Sequence, residues 1–366
     1  MQNLAPIEVG LLYRGQPLPY DLYNRQGVLL ARAGSVVNNP ERFALLARQR
    51  LFRPTDKPEV LVDEPHSVHD FKSLGAAYSA LLDAHPVPPP DAIRVLAEDL
   101  QRLTGQHPEM CVALAPHIEL TSLARRHALF TAVVGLLLAR RVGLDDNAGL
   151  TVACAALTMN LTSQLLQDAL SQVPDGPDEE QRNRLFNHPI LSAEALKRVG
   201  VTDPAWLLAV RQHHENLDGS GYPLGLTDAQ IVVEARLLRV ADVWCALLSH
   251  RHNRVARYPR QAQHAVFHRE RRRLDDALLL ALRSFMGHYP PGTLVRLANR
   301  ETAIVTQWFE GHAQPPLVVS VLRPSGDPLP RPQLRHTRHP LHAIRDYTWL
   351  PINHVALDWV RIWSVA

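Results

Sequence analysis

The densest run of residues suited to metal and phosphate chemistry is His213-His214-Glu215-Asn216-Leu217-Asp218-Gly219-Ser220-Gly221-Tyr222-Pro223. Helical patterning over 206–215 places the two histidines at a helix end. Successive side chains there diverge by about 100°, which suits neighbouring metal ions, or one ion and a substrate. Gly219 and Gly221 open backbone conformations that a side chain would forbid, and Pro223 fixes the exit from the loop.

A second segment, 234–249, contains Ala241-Asp242-Val243. On a 3.6-residue repeat Asp242 shares its face with Ala235, Leu238, Cys245, Ala246 and Ser249, a largely apolar stripe. A carboxylate there requires a cationic partner, either a metal ion or an arginine. His127 repeats the pattern in the helix expected over 122–142, facing Leu123, Ala124, Phe130, Thr131 and Val134. His188 lies in Asn187-His188-Pro189. Taken singly, each reads as a hydrogen-bonded core histidine. Together with His213, His214 and Asp242 they form a mixed imidazole and carboxylate set of the kind that Fe, Mn or Zn accepts.

The run His213-His214-Glu215-x-x-Asp218-Gly219-x-Gly221-Tyr222-Pro223, followed by Gly225-Leu226, Ala235-Arg236 and Ala241-Asp242-Val243, resembles the HD-GYP domain, a subgroup of the HD metal-dependent phosphohydrolases. The resemblance runs from about 120 to 289 and closes on Tyr289-Pro290-Pro291-Gly292. It implies a helical bundle that hydrolyses the bacterial messenger cyclic di-GMP to pGpG or GMP with two or three metal ions. It would make His127, His188, His213, His214 and Asp242 metal ligands. Arg251, Arg254 and Tyr222 would contact substrate, and Glu215, Asp218, Gly219, Gly221 and Pro223 would be the motif residues of the loop.

The doublet that names the family is altered. Aligning 155–163 on it puts Met159 at the histidine and Asn160 at the aspartate, with Thr162 and Ser163 replacing a glycine and a lysine. An amide has no negative charge to bridge two cations, and a thioether is a poor ligand for Fe or Mn. Leu123 stands where members with a third metal carry a glutamate. The expectation is an HD-GYP-family protein of cyclic di-GMP signalling with impaired catalysis. It would hold one divalent ion or none, rather than two, at His188, His213 and His214. The competing readings are a working phosphodiesterase, a non-catalytic effector that binds the nucleotide or a protein partner, and an unrelated helical scaffold.

The elements that must position these residues are mainly helical. A small α+β module is expected over 1–85, with a hairpin across 20–31, a turn at Gly34 and a helical pattern over 40–49. The run Pro86-Val87-Pro88-Pro89-Pro90 marks a linker or a change of direction. An HD-type helical bundle follows over 91–288, in which the helix 148–160 carries Met159 and Asn160 at its end. A short β-rich extension completes the chain over 289–366.

A net charge of +3 on 366 residues selects neither DNA, RNA nor a membrane surface as partner. Between 251 and 273 there are eight arginines and one acid, Glu270. That stretch is either a solvated face or a basic rim for a phosphorylated ligand. Three cysteines without metal-finger spacing read as free thiols in a reducing compartment. The apolar stretch 128–139 falls short of the ~20 residues a spanning helix needs, and the start lacks a signal sequence, so a cytoplasmic location is expected.

Overall fold

The computed structural model describes residues 4–7, 18, 21–24, 27–37, 51–54, 66–172, 176–249, 256–308, 314–348 and 357–366. The chain divides into two units, Met1–Glu64 and Pro65–Ala366. In the first, strands β1 (Leu4–Ile7), β2 (Leu22–Tyr23), β3 (Leu29–Ala31) and β4 (Leu51–Pro54) form an antiparallel sheet in the order β1-β4-β2-β3. The β2–β3 hairpin turns through Gly27, whose positive φ of 79° a side chain would resist. The helix expected over 40–49 lies outside the described residues.

The second unit begins with α1 (His66–Ala84), which buries Val68, Phe71, Leu74, Tyr78 and Leu82. The Tyr78 hydroxyl donates to the Leu157 carbonyl at 2.7 Å. This packing ties α1 to the helical bundle and moves the boundary expected near residue 85 to Glu64/Pro65. The proline run is a corner between helices: α2 (Pro90–Gln106) starts on Pro90, where a missing N–H costs nothing.

After the short α3 (Pro108–Leu114) comes α4 (Leu123–Arg141), capped by Ser122 and apolar around almost its whole circumference. Such a helix is buried on all sides. It packs against α5 (Asp146–Thr158), which ends earlier than expected. Met159 therefore caps that helix and Asn160 lies in the following turn. Next come α6 (Gln164–Leu170), α7 (Glu179–Arg198) with Pro189 inside it, α8 (Pro204–Gln212) and α9 (Val233–Leu248). Helix α8 stops at Gln212 rather than at residue 215, so His213 is its cap and His214 lies just beyond.

Helices α10 (Pro259–Arg269) and α11 (Asp276–Met286) lead into β5 (Leu294–Leu297), β6 (Thr302–Gln307), β7 (Leu317–Leu322), β8 (Pro328–His336) and β9 (Ile344–Tyr347). These strands form an antiparallel sheet in the order β8-β7-β6-β5-β9, and α12 (Trp359–Trp363) follows. Ile304, Val319, Val321, Leu322, Trp359 and Ile362 belong to the same apolar core as the helices. The C-terminal extension is thus packed on the bundle rather than separate from it. Among the described residues no helix is long and apolar enough to cross a membrane, and the three cysteines are free and buried.

The loop after α8 is held from inside. Buried Glu215 accepts the Leu224 N–H on Oε1 at 2.7 Å and the Leu226 N–H on Oε2 at 3.0 Å, drawing the far side of the loop onto its start. Asp218 accepts the Ser220 N–H, and Gly219 takes a φ of 76°. A methyl group on Gly221 would fall 2.3 Å from the Asn216 nitrogen and 2.5 Å from Glu215 Cα, backbone atoms that cannot step aside. Gly221→Ala is therefore expected to cost about 3 kcal/mol in urea unfolding. Gly326→Ala, in open space at a positive φ, should cost only about 1 kcal/mol. Equal losses in the two variants would show that the close approach at Gly221 does not matter.

Candidate metal centre

Three helices and one helix end bring the candidate ligands together: His127 on α4, His188 on α7, His213 and His214 at the end of α8, and Asp242 on α9. Pro189 has no N–H, so it cannot bond the carbonyl of Leu185 one turn back. His188 Nδ1 takes that carbonyl instead. At the end of α8 the last carbonyls also lack helical partners, and His213 Nδ1 lies 2.7 Å from the Val210 carbonyl. A carbonyl only accepts, so each Nδ1 carries the proton and each Nε2 presents a lone pair.

Those two Nε2 atoms face each other at 3.2 Å. Burial lowers the pKa of both imidazoles, that of His213 to about 3, so neither gains a proton to share near neutral pH. Two lone pairs at this distance repel unless a cation lies between them. Imidazole nitrogens on one tetrahedral ion stand ~3.3 Å apart. His214 completes a trio whose ligand atoms all lie within 4.8 Å of one another, and burial holds its pKa well down too. Its ring stacks on Tyr222 at 4.6 Å, and Phe186 stacks on Tyr222 at 5.2 Å. Tyr222 is thereby a shelf for His214. This half of the centre fits a divalent ion.

The other half does not fit one as arranged. His127 Nε2 and Asp242 Oδ1 bond each other directly at 2.7 Å, so the atoms each would offer a metal are already used. Asp242 Oδ2 lies 3.6 Å from the Arg239 guanidinium and 3.8 Å from His214 Nδ1. Burial works to raise the pKa of Asp242, yet the hydrogen bond and charge of His127, with His214 and Arg239, hold it well below the usual carboxylate range. Met159 is fully buried in the apolar core. The Asn160 Oδ1 accepts from Gln167 Nε2 at 3.0 Å, which in turn bonds Ser163 Oγ at 2.9 Å.

A cavity of about 330 Å³ reaches His127 from elsewhere, lined by Leu123, Phe130, Trp244, Tyr258 and Pro291 among others. His188, His213, His214 and Asp242 do not line it. His127 Nδ1 is buried and without a partner among the described residues.

Of the residues singled out in the sequence, the five proposed ligands and Tyr222 come together. Glu215, Asp218, Gly219 and Gly221 shape the loop beside them. Arg251 and Arg254 lie outside the described residues. Sequence reasoning missed Arg239, although its helical spacing of three before Asp242 could have named it as the arginine partner. It also missed how Pro189 frees a carbonyl for His188.

The family described as HD domain matches residues 96–278, half of the chain. A cyclic di-GMP phosphodiesterase response regulator of Xanthomonas campestris is 34% identical over 147 residues, 38% of this chain and 37% of that protein. A cyclic di-GMP phosphodiesterase of Pseudomonas aeruginosa is 24% identical over 212 residues, 58% of this chain and 51% of that protein. The chain thus spans about half the length of these relatives or less. An HDG"Y"P protein from Bdellovibrio bacteriovorus shares the fold, with a TM-score of 0.51 at 16% identity over 76% of this chain and 98% of that one. With the family match over half its length and the histidine centre inside the matched region, the chain belongs to the HD domain family.

Proposed function

We propose that the protein is a catalytically impaired member of the HD-GYP group that works in cyclic di-GMP signalling through a centre holding a single divalent ion, Fe, Mn or Zn, or none. The observation that carries this reading is the asymmetry of the centre. His188 and His213 aim unprotonated Nε2 atoms at a common point, whereas His127 and Asp242 satisfy each other. The relatives' names support the ligand class, since both act on cyclic di-GMP.

A divalent ion in such a site supplies Lewis-acid polarisation of a phosphate oxygen. The chain's own residues orient the site. Leu185 and Val210 fix the two tautomers through their carbonyls, and Tyr222 supports the third ring. Phosphodiester cleavage by a pair of ions needs a charged group to hold both. Asn160 is neutral and engaged with Gln167, and Met159 is buried in the core, so the second position lacks its bridge and a terminal ligand. Arg251 and Arg254, three apart in the basic stretch, are the proposed contacts to the phosphates of cyclic di-GMP. Binding of a protein partner and a cytoplasmic location complete the proposal.

Elemental analysis of the purified chain is expected to find about one ion or less. His213→Ala should remove it, while His127→Ala should leave it largely in place. Two tightly held ions per chain would overturn the reading. Hydrolysis of cyclic di-GMP is expected to be absent or far slower than ~1 per second, the low end of ordinary enzyme rates. Any binding should weaken with salt and with Arg251→Ala. Turnover at or above that rate would show that the altered doublet does not disable the centre.

A further inference from the structure

Among the described residues around Asp242, one carries a permanent charge: Arg239, one turn earlier on α9. Its guanidinium is 3.6 Å from Asp242 Oδ2 and 3.4 Å from His214 Nδ1, and its Nε–H donates to Asn216 Oδ1 at 3.1 Å. Asn216 is itself buried and bonds Ser220 Oγ through its amide at 3.0 Å, so the acceptor that orients Arg239 is fixed by the loop. The Arg239 side chain is only 17% exposed. A long, flexible cation is thus led to a buried carboxylate and a ring nitrogen at the same time.

We propose that Arg239 is a built-in cation standing where the centre would otherwise hold an ion between His214 and Asp242, which leaves a single metal position at His188, His213 and His214. The inference rests on the one-ion reading and adds a second cause to the ligands missing at Met159 and Asn160. A guanidinium stays charged at any physiological pH, so it neutralises Asp242 whether or not metal is present, and it repels a divalent ion approaching Asp242 Oδ2. The carboxylate no longer needs a metal to be buried. His127, with its Nε2 on Asp242, then serves to hold the carboxylate rather than to bind an ion.

The test compares the full chain with Arg239→Met, which keeps bulk without charge, and Arg239→Lys, which keeps charge. Each is loaded with Mn²⁺, desalted and assayed for metal, and melted in EDTA and in Mn²⁺. Arg239→Met is expected to take up added Mn²⁺, up to about one ion per chain, through His127 and Asp242 despite the ligands missing at Met159 and Asn160, and His127→Ala in that background should remove the added ion. In EDTA its melting midpoint should fall by on the order of 5 °C, and Mn²⁺ should restore it. Arg239→Lys should match the wild type in both readouts.

Should Arg239→Met fold only with Mn²⁺ present, the proposal is supported. Failure to fold in either buffer overturns it, as does wild-type metal content together with wild-type melting in EDTA. Two ions in the wild-type chain would instead overturn the one-ion reading itself, whereas a one-ion wild type with an unresponsive Arg239→Met would remove only the role given to Arg239.

Discussion

Asp242 carries a negative charge into a largely apolar helix face, and the arrangement of the centre follows from how that charge is met. An isolated buried carboxylate would cost several kcal/mol. Here His127 donates a hydrogen bond to one oxygen and Arg239 stands beside the other. The carboxylate is consequently satisfied by the protein alone. Its neighbours are left to organise around three imidazoles instead of around a bridging acid.

Those imidazoles are arranged by backbone carbonyls that secondary structure leaves free. Pro189 releases the Leu185 carbonyl inside a helix, and the end of α8 releases that of Val210. Each proton is thereby placed on Nδ1, and each Nε2 is turned inward as a lone pair. Burial keeps the rings neutral, so the lone pairs are available near neutral pH. The loop with Gly221 stacks Tyr222 on His214, while Glu215 pins the loop's far side.

Much of this was legible from residue types and spacing. The hairpin at Gly27 and the capped helix beginning after Ser122 follow from patterns with a local physical cause, and His127, His188, His213, His214 and Asp242 were expected as one ligand set through the resemblance to the HD-GYP motif. The boundary near residue 85 did not, because the proline run marks a corner equally well whether the helix before it packs on the bundle or leaves it. Only the long-range burial of Phe71 and Tyr78 decides that. Arg239 escaped notice for a related reason: an arginine three residues from an aspartate on a helix is usually a surface pair. Its orientation here depends on Asn216, whose position is set by a loop distant in sequence.

The account turns on the centre being able to hold one ion and not two. Crystals of the full chain soaked in Mn²⁺ and measured at the manganese absorption edge would locate every bound ion directly. A single anomalous peak is expected, about 2.0–2.3 Å from Nε2 of His188 and His213, with Arg239 still beside Asp242. A second peak roughly 3.5–4 Å from the first, beside Asp242, would contradict the account.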